Sequence, residues 1–173
     1  MTRTPVTTML AAAVSLAACG SDQGTGTTPG SSDGTISGSV QGAGWTSLQS
    51  ALWISKAGAP TAVVFLFEAK AACADISAPN WDKNLGASKL LEIQTVDSAP
   101  RTYSVSNDPD SGARTATVAY LYGNYNPNAD SGSVTIESVI PGRSLSGSFD
   151  VGFGTDGLKG AFKAAYCAGG VEP

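Results

Sequence analysis

The stretch RSLSGSFDVGFGTDGLKGAFKAAYC, residues 143–167, alternates between two kinds of side chain on either side of a short turn. Apolar residues or glycines recur at every second position, which is typical of β-strands with one buried face. Asp156 and Gly157 fit a two-residue hairpin turn, which would place Phe153 opposite Gly160. The stretch therefore predicts an antiparallel hairpin in which an aromatic ring covers bare glycine backbone.

The rest of the chain carries further strand signals. The segment AVVFLF at residues 62–67 is apolar throughout, which predicts a central strand that is covered on both faces. Shorter alternating segments lie at 35–40, 51–56, 89–96, 101–106, 113–123 and 133–140. About eight to ten short strands predict an all-β domain, either an antiparallel β-sandwich, which we expect first, or a closed β-barrel. In the loop between 70 and 88 we expect one helical turn and Trp81 as a plug over the core.

The N-terminus has the pattern of a secretory signal. A positive start with Arg3 precedes 13 mostly apolar residues, 6–18, which are too few to span a bilayer as a helix. The sequence LAAC at residues 16–19 resembles the lipobox of bacterial lipoproteins. This resemblance implies that residues 1–18 are a signal peptide and that the thiol of Cys19 is lipidated. It also implies that the new amine carries an acyl chain such as palmitate.

The residues after Cys19 predict where the protein is held. The resemblance associates an aspartate directly after the cysteine with retention in the inner membrane, and Gly20 stands there instead. We therefore expect a lipid-anchored protein of the cell envelope, in the outer membrane, on either of its faces. Residues 19–34 then form a flexible Gly/Ser/Thr tether with a reach of about 20 Å. Residues 35–173 form a single domain.

The C-terminal third carries a second resemblance. Its pattern of a G-x-F-x-V strand, a hairpin, a G-x-F strand and a final cysteine is similar to that of small β-rich lipoproteins of Gram-negative bacteria. The residues that carry it are Gly147, Phe149, Val151, Gly160, Phe162 and Cys167. The pattern is structural, and the resemblance implies no particular activity.

Composition excludes several classes of chemistry. The chain has no histidine, which excludes Ser-His-Asp, Cys-His and zinc-histidine sites. It has 10 basic and 14 acidic residues without a basic cluster, so we expect no nucleic-acid partner. We expect no cofactor and no enzymatic activity.

The three cysteines have two different predicted roles. If Cys19 is lipidated, then Cys73 and Cys167 remain as an even pair in an oxidising compartment, and we expect a disulfide between them. A catalytic thiol is the competing interpretation, which the lack of histidine disfavours. The bridge would join the last strand to the end of the buried central strand.

Aromatic residues supply the candidate binding site. Tyr122, Asn124 and Tyr125 lie at a strand end among polar neighbours, and we predict binding there, with an envelope protein or a glycan as partner. A wider sugar-stacking platform would use five aromatic residues: Trp45, Trp53, Trp81, Tyr122 and Tyr125. Aromatic residues on sheet faces are, however, more often part of the core.

Oxygen-bearing loops suggest two further kinds of site. Asp108 and Asp110 could ligate calcium, as could the loop of Asn126, Asn128 and Asp130, although both loops lack the EF-hand spacing and suit plain turns equally. Scattered carboxylates could form an acid pair for glycoside hydrolysis: Glu68, Asp75, Asp82 and Glu92.

Three functional hypotheses follow from the sequence. The first is a non-enzymatic binding or structural module that is anchored to the membrane through the lipid on Cys19. The second is a lipocalin-like carrier of a small apolar ligand, and the third is a carboxylate-dependent hydrolase.

Overall fold

The computed structural model of the chain describes residues 34–55, 61–78, 81, 88–108, 112 and 114–169. The predicted signal peptide, the lipidation site Cys19 and the tether up to residue 33 lie outside the described residues, as do Asp82 and Asp110. Among the described residues, no helix is long and apolar enough to cross a membrane. The elements are β1 (Gly34–Val40), β2 (Ala43–Gly44), β3 (Ser50–Ser55), β4 (Ala62–Phe67), α1 (Cys73–Ile76), β5 (Leu90–Thr95), β6 (Arg101–Val105), β7 (Thr115–Leu121), β8 (Ser131–Ile140), β9 (Ser144–Phe153) and β10 (Asp156–Tyr166).

Eight of the strands close into a β-barrel. Their circular order is β3-β4-β5-β7-β6-β8-β9-β10, and β1 and β2 continue the sheet from β10. The strand β10 closes the circle because it pairs with β9 along one edge and shares its other edge between two partners. It pairs with β1 through residues 157–162 and with β3 through Ala165 and Tyr166. The closed barrel is therefore the architecture of this chain.

The sandwich that we expected first is not formed. Sandwiches and barrels share the same alternation of buried and exposed side chains along each strand, so the pattern cannot separate them. The difference depends on whether the early and the late strands pair. Here Leu52 pairs with Ala165 and Trp53 with Tyr166, in parallel, across more than 100 residues of chain.

The hairpin predicted at residues 143–167 forms with a different turn. Gly154 and Thr155 occupy the turn, because Gly154 adopts the positive φ of 68° that a tight turn needs. The prediction that Asp156 and Gly157 would form the turn is therefore wrong. The register moves by an even number of residues, so the same side chains face inward, and Phe149 rather than Phe153 lies opposite the strand glycine at 160.

A second apolar layer covers part of the outside of the barrel. All six residues of β4 are buried, as the sequence predicted, since its outward side chains pack under α1 and the indole of Trp81. The Trp81 ring meets Phe65 edge-on, with 5.0 Å between the ring centroids. A disulfide joins Cys73 in α1 to Cys167 directly after β10, with a Cα–Cα distance of 5.3 Å, as expected.

Candidate functional site

The predicted binding residues lie together in one tight turn after β7. Tyr122 and Tyr125 face each other across it, and each backbone N–H donates to the other's carbonyl, at 2.9 and 3.0 Å. Gly123 has a φ of 61°, which a tight turn requires at this position. The side chain of Asn124 is exposed, and Tyr122 is 39% exposed although it is large and aromatic. The turn therefore presents an aromatic ring and an amide to solvent.

Beneath this turn, aromatic rings fill the end of the barrel. Tyr120 on β7 is fully buried, and its ring lies 6.1 Å from Trp45, 6.4 Å from Tyr125 and 6.2 Å from Phe153. Since Phe153 belongs to β9, which is separated from β7 by two strands on the barrel wall, the contact crosses the interior. These rings occupy the interior at this end.

An ion pair lies beside the rings. The Nζ atom of Lys89 lies 2.9 Å from a carboxylate oxygen of Glu68 and donates to the carbonyl of Gly44 at 2.7 Å. The same ammonium group stands 5.8 Å from the centroid of the Tyr122 ring, within cation–π range. Thr46 donates to Glu68 from both its backbone N–H and its hydroxyl. The pair thus connects the ends of β4 and β5 to the exposed tyrosine.

The environment at this end keeps Glu68 and Tyr120 in the protonation states that are usual at neutral pH. Burial acts to raise the pKa of Glu68, but hydrogen bonds and charge from Lys89 and hydrogen bonds from Thr46 outweigh it, and the pKa lies below its usual value. Burial raises the pKa of Tyr120 to about 12, and the nearby charge of Glu68 adds to the effect. At neutral pH, Glu68 is therefore ionised and the Tyr120 hydroxyl keeps its proton.

The hydroxyl of Tyr120 is the unusual atom of this region. It is buried, and it has no hydrogen-bond partner within the part of the chain that the structure describes. A buried polar group that is left unpaired is unfavourable, so such groups usually meet a water molecule or a ligand. We call the whole region the tyrosine end, and define it as Trp45, Glu68, Lys89, Tyr120, Tyr122, Asn124, Tyr125 and Phe153.

Comparison of the chain with protein-family models, with curated proteins and with solved structures found no match. The tyrosine end can hold a ligand against an exposed ring and can offer it hydroxyl and amide groups.

The wider aromatic platform is not assembled. Trp45 joins Tyr122 and Tyr125 at the tyrosine end. Trp53, in contrast, faces the barrel interior and packs on the ring of Tyr166 at 4.9 Å, and Trp81 lies outside the barrel against Phe65. All three tryptophans of the platform are buried core residues, and of its five aromatic residues only Tyr122 and Tyr125 are not.

The calcium prediction stays a prediction. Asp108 is exposed, and its backbone N–H donates to Ser106, while Asp110 lies outside the described residues. In the other loop, the carboxylate of Asp130 accepts hydrogen bonds from Ser131 at 2.8 Å and from the backbone of Gly154 at 2.7 Å, and these bonds lower its pKa. Asp130 thus fastens the β9–β10 turn. Within the described residues, no cluster of three or more metal-binding side chains occurs.

The candidate acids for hydrolysis lie in different settings. Glu68 pairs with Lys89, whereas the carboxylate of Asp75 accepts a hydrogen bond from the backbone of Ala72 at the start of α1. Glu92 lies on β5, opposite Phe65 of β4. The fourth acid, residue 82, is outside the described residues.

Sequence reasoning missed the parts that Tyr120, Glu68 and Lys89 play at the tyrosine end. One signal was available, because Glu68 directly follows an apolar strand and Lys89 directly precedes the next one. If two such strands pair in an antiparallel hairpin, the charges that flank them meet at one edge of the sheet. The missing hydrogen bond of Tyr120 could not be read from the sequence, because it depends on packing around the hydroxyl.

Proposed function

We propose that this chain is a lipid-anchored, non-enzymatic binding module of the bacterial cell envelope, and that it engages its partner through the tyrosine end. The observation that carries the proposal is a pair of tyrosines two residues apart: the ring of Tyr122 is 39% exposed, and the buried hydroxyl of Tyr120 has no hydrogen-bond partner among the described residues. Ligand sites commonly combine aromatic side chains with a small number of polar groups that orient the ligand. The lipobox at residues 16–19 supports the anchor.

The state of the carboxylate at this end favours binding over hydrolysis. Glycoside hydrolysis through two carboxyl groups needs one of them to be protonated near neutral pH, and this requires a raised pKa. The pKa of Glu68 is instead lowered, because the hydrogen bonds from Lys89 and Thr46 outweigh the effect of burial. Glu68 is therefore suited to hold Lys89 and not to donate a proton.

A carrier of a small apolar ligand is the alternative. The closed eight-stranded barrel favours it, since barrels of this size hold either packed side chains or one small ligand. The rings of Trp45, Tyr120 and Phe153 argue against entry at the tyrosine end, because they meet across the interior. Native mass spectrometry of the purified full chain separates the two functions, since one apolar molecule per chain would support the carrier.

Site-specific photo-crosslinking in intact cells tests the binding module. Benzoylphenylalanine replaces Tyr122 in one strain and Lys163, an exposed residue on the outer wall of β10, in a matched control strain. We expect a discrete crosslinked adduct from position 122 and none from position 163. Adducts of equal yield from both positions, or none from position 122, would contradict the proposal.

A further inference from the structure

The turn at the tyrosine end presents a partly exposed ring beside an exposed amide. Tyr122 is 39% exposed, and the exposed amide of Asn124 lies two residues away in the same tight turn. An aromatic face carries partial negative charge, which attracts the C–H groups of a ligand. The neighbouring amide both donates and accepts hydrogen bonds. A ligand with an apolar face and polar edges fits this combination.

The buried hydroxyl of Tyr120 can both donate and accept a hydrogen bond. Tyr120 is 0% exposed, and its hydroxyl makes no hydrogen bond to any described residue. The ring of Tyr120 lies 6.4 Å from that of Tyr125, and the backbone of Tyr125 is hydrogen-bonded to that of Tyr122 across the turn. A ligand hydroxyl matches this environment, since it pairs with a tyrosine hydroxyl in either direction.

The charges at the tyrosine end favour a neutral ligand. Lys89 and Glu68 neutralise each other at 2.9 Å, and the lysine already stands within cation–π range of Tyr122. A cationic ligand would have to displace Lys89 from Glu68 and from this ring, and an anionic ligand would have to displace Glu68 from Lys89. Because Lys89 and Glu68 are already paired, they offer no free counter-charge to a ligand of either sign.

We infer that the tyrosine end binds a neutral saccharide, whose ring stacks on Tyr122 and whose hydroxyl group hydrogen-bonds to Tyr120. This inference rests on the proposed function, since it names the ligand class for the same end of the barrel. Tyr125 is the side chain that must shift to admit the ligand hydroxyl. It is half-buried and covers Tyr120 edge-on, with 6.4 Å between the ring centroids.

Titration of the purified full chain in detergent with defined sugars tests the inference. Maltotetraose, cellotetraose and tetra-N-acetylchitotetraose serve as neutral probes, and choline and glucuronate serve as charged probes. Binding is followed by calorimetry and by tryptophan fluorescence in a Trp53→Phe/Trp81→Phe background, which leaves Trp45, 6.1 Å from Tyr120, as the reporter. We expect at least one neutral probe to bind and neither charged probe to do so. Failure of all neutral probes up to about 10 mM, or binding of a charged probe alone, would overturn the inference.

Two variants separate a ligand contact from a purely structural role. Tyr122→Ala removes the stacking ring, and Tyr120→Phe removes only the hydroxyl. We expect each to weaken binding of the neutral probe by about tenfold or more. Tyr166→Phe, which changes a tyrosine elsewhere in the barrel, and Lys163→Ala on its outer wall serve as controls and should leave affinity unchanged. Unchanged affinity in Tyr122→Ala or Tyr120→Phe would overturn the inference.

The melting temperature shows whether the variants remain folded. Tyr120→Phe should keep or raise it, because the change removes a buried hydroxyl that has no described partner. Failure of the inference is distinguishable from failure of the proposed function. If no saccharide binds but benzoylphenylalanine at position 122 still gives an adduct, the ligand class is wrong and the binding end stands. If position 122 gives no adduct either, both fail.

Discussion

Phe149 of β9 lies opposite Gly160 of β10, and its ring Cζ atom stands 3.0 Å from the point where a side chain on Gly160 would begin. The neighbouring pair repeats the arrangement in reverse, since Phe162 of β10 lies opposite Gly147 of β9 at the same distance. Each ring covers the bare backbone of the other strand. The two glycines therefore let two large rings fit side by side inside the barrel.

This packing predicts that Gly160→Ala destabilises the fold. The new methyl group would meet the Phe149 ring and the backbone carbonyl oxygen of Thr35, so a strand would have to shift. We expect a loss of about 1–3 kcal/mol in the free energy of unfolding, measured by urea denaturation. Gly44→Ala is the matched control, because a methyl group there meets nothing within 4 Å. Equal stability of the two variants would show that the rings do not require the glycine.

The disulfide predicts a redox-dependent melting temperature. The bridge between Cys73 and Cys167 closes 94 residues and ties the end of β10 to α1, where only two residue pairs join β10 to β3. The chain-entropy model gives a loop of this size about 4–5 kcal/mol, as an upper estimate. Reductant should therefore lower the melting temperature of the wild type in differential scanning calorimetry.

The double variant Cys73→Ala/Cys167→Ala is the control for the disulfide. It should melt at the lower temperature with or without reductant. Two alkylated thiols at these positions in the intact mass of the unreduced protein would refute the bridge.

Two buried tyrosines predict opposite responses to the same change. The hydroxyl of Tyr103 lies within hydrogen-bond distance of Asp97 and of the carbonyl of Ala99, whereas that of Tyr120 has no partner among the described residues. Tyr103→Phe should lower the free energy of unfolding by about 1–3 kcal/mol, because it leaves buried partners unsatisfied. Tyr120→Phe should leave it unchanged or raise it. Urea denaturation of both variants checks the contrast, and similar losses in the two would contradict it.

The hydrogen bonds and charges around Asp97 predict that stability depends on pH in the acid range. Burial acts to raise the pKa of Asp97, but hydrogen bonds from Tyr103 and Ala99 and the charge of Arg101 outweigh it and hold the pKa below its ordinary value of 3.8. Because the pKa of Asp97 is lowered in the folded state, its ionised carboxylate stabilises the fold fully above pH 3.8. This stabilisation is lost as the pH falls through the pKa of the folded state. Thermal melts of the wild type should therefore fall more steeply below pH 3.8 than those of Asp97→Asn. Parallel curves would contradict this account.

The sequence predicted which face of a strand is buried, but it did not predict which distant strands pair. Alternation placed Phe149 inside, and the uninterrupted apolar run at residues 62–67 predicted a strand covered on both faces, because burial leaves a local pattern along each strand. The closing pair Leu52–Ala165 left no such pattern, since each strand reads the same whichever partner it meets. The tyrosine composition of residues 122–125 predicted a binding site at a strand end, and the sequence did not show that Lys89 would stand beside it, because that depends on the pairing of β4 with β5.

Metabolic labelling with radioactive palmitate tests the central claim, that a lipid on Cys19 holds this barrel at a membrane. Labelled wild type, Cys19→Ala and the control Cys73→Ala are compared after membrane fractionation. We expect label and membrane association in the wild type and in Cys73→Ala, and neither in Cys19→Ala. Equal labelling of Cys19→Ala, or an unlabelled wild type that still carries residues 1–18, would contradict the account.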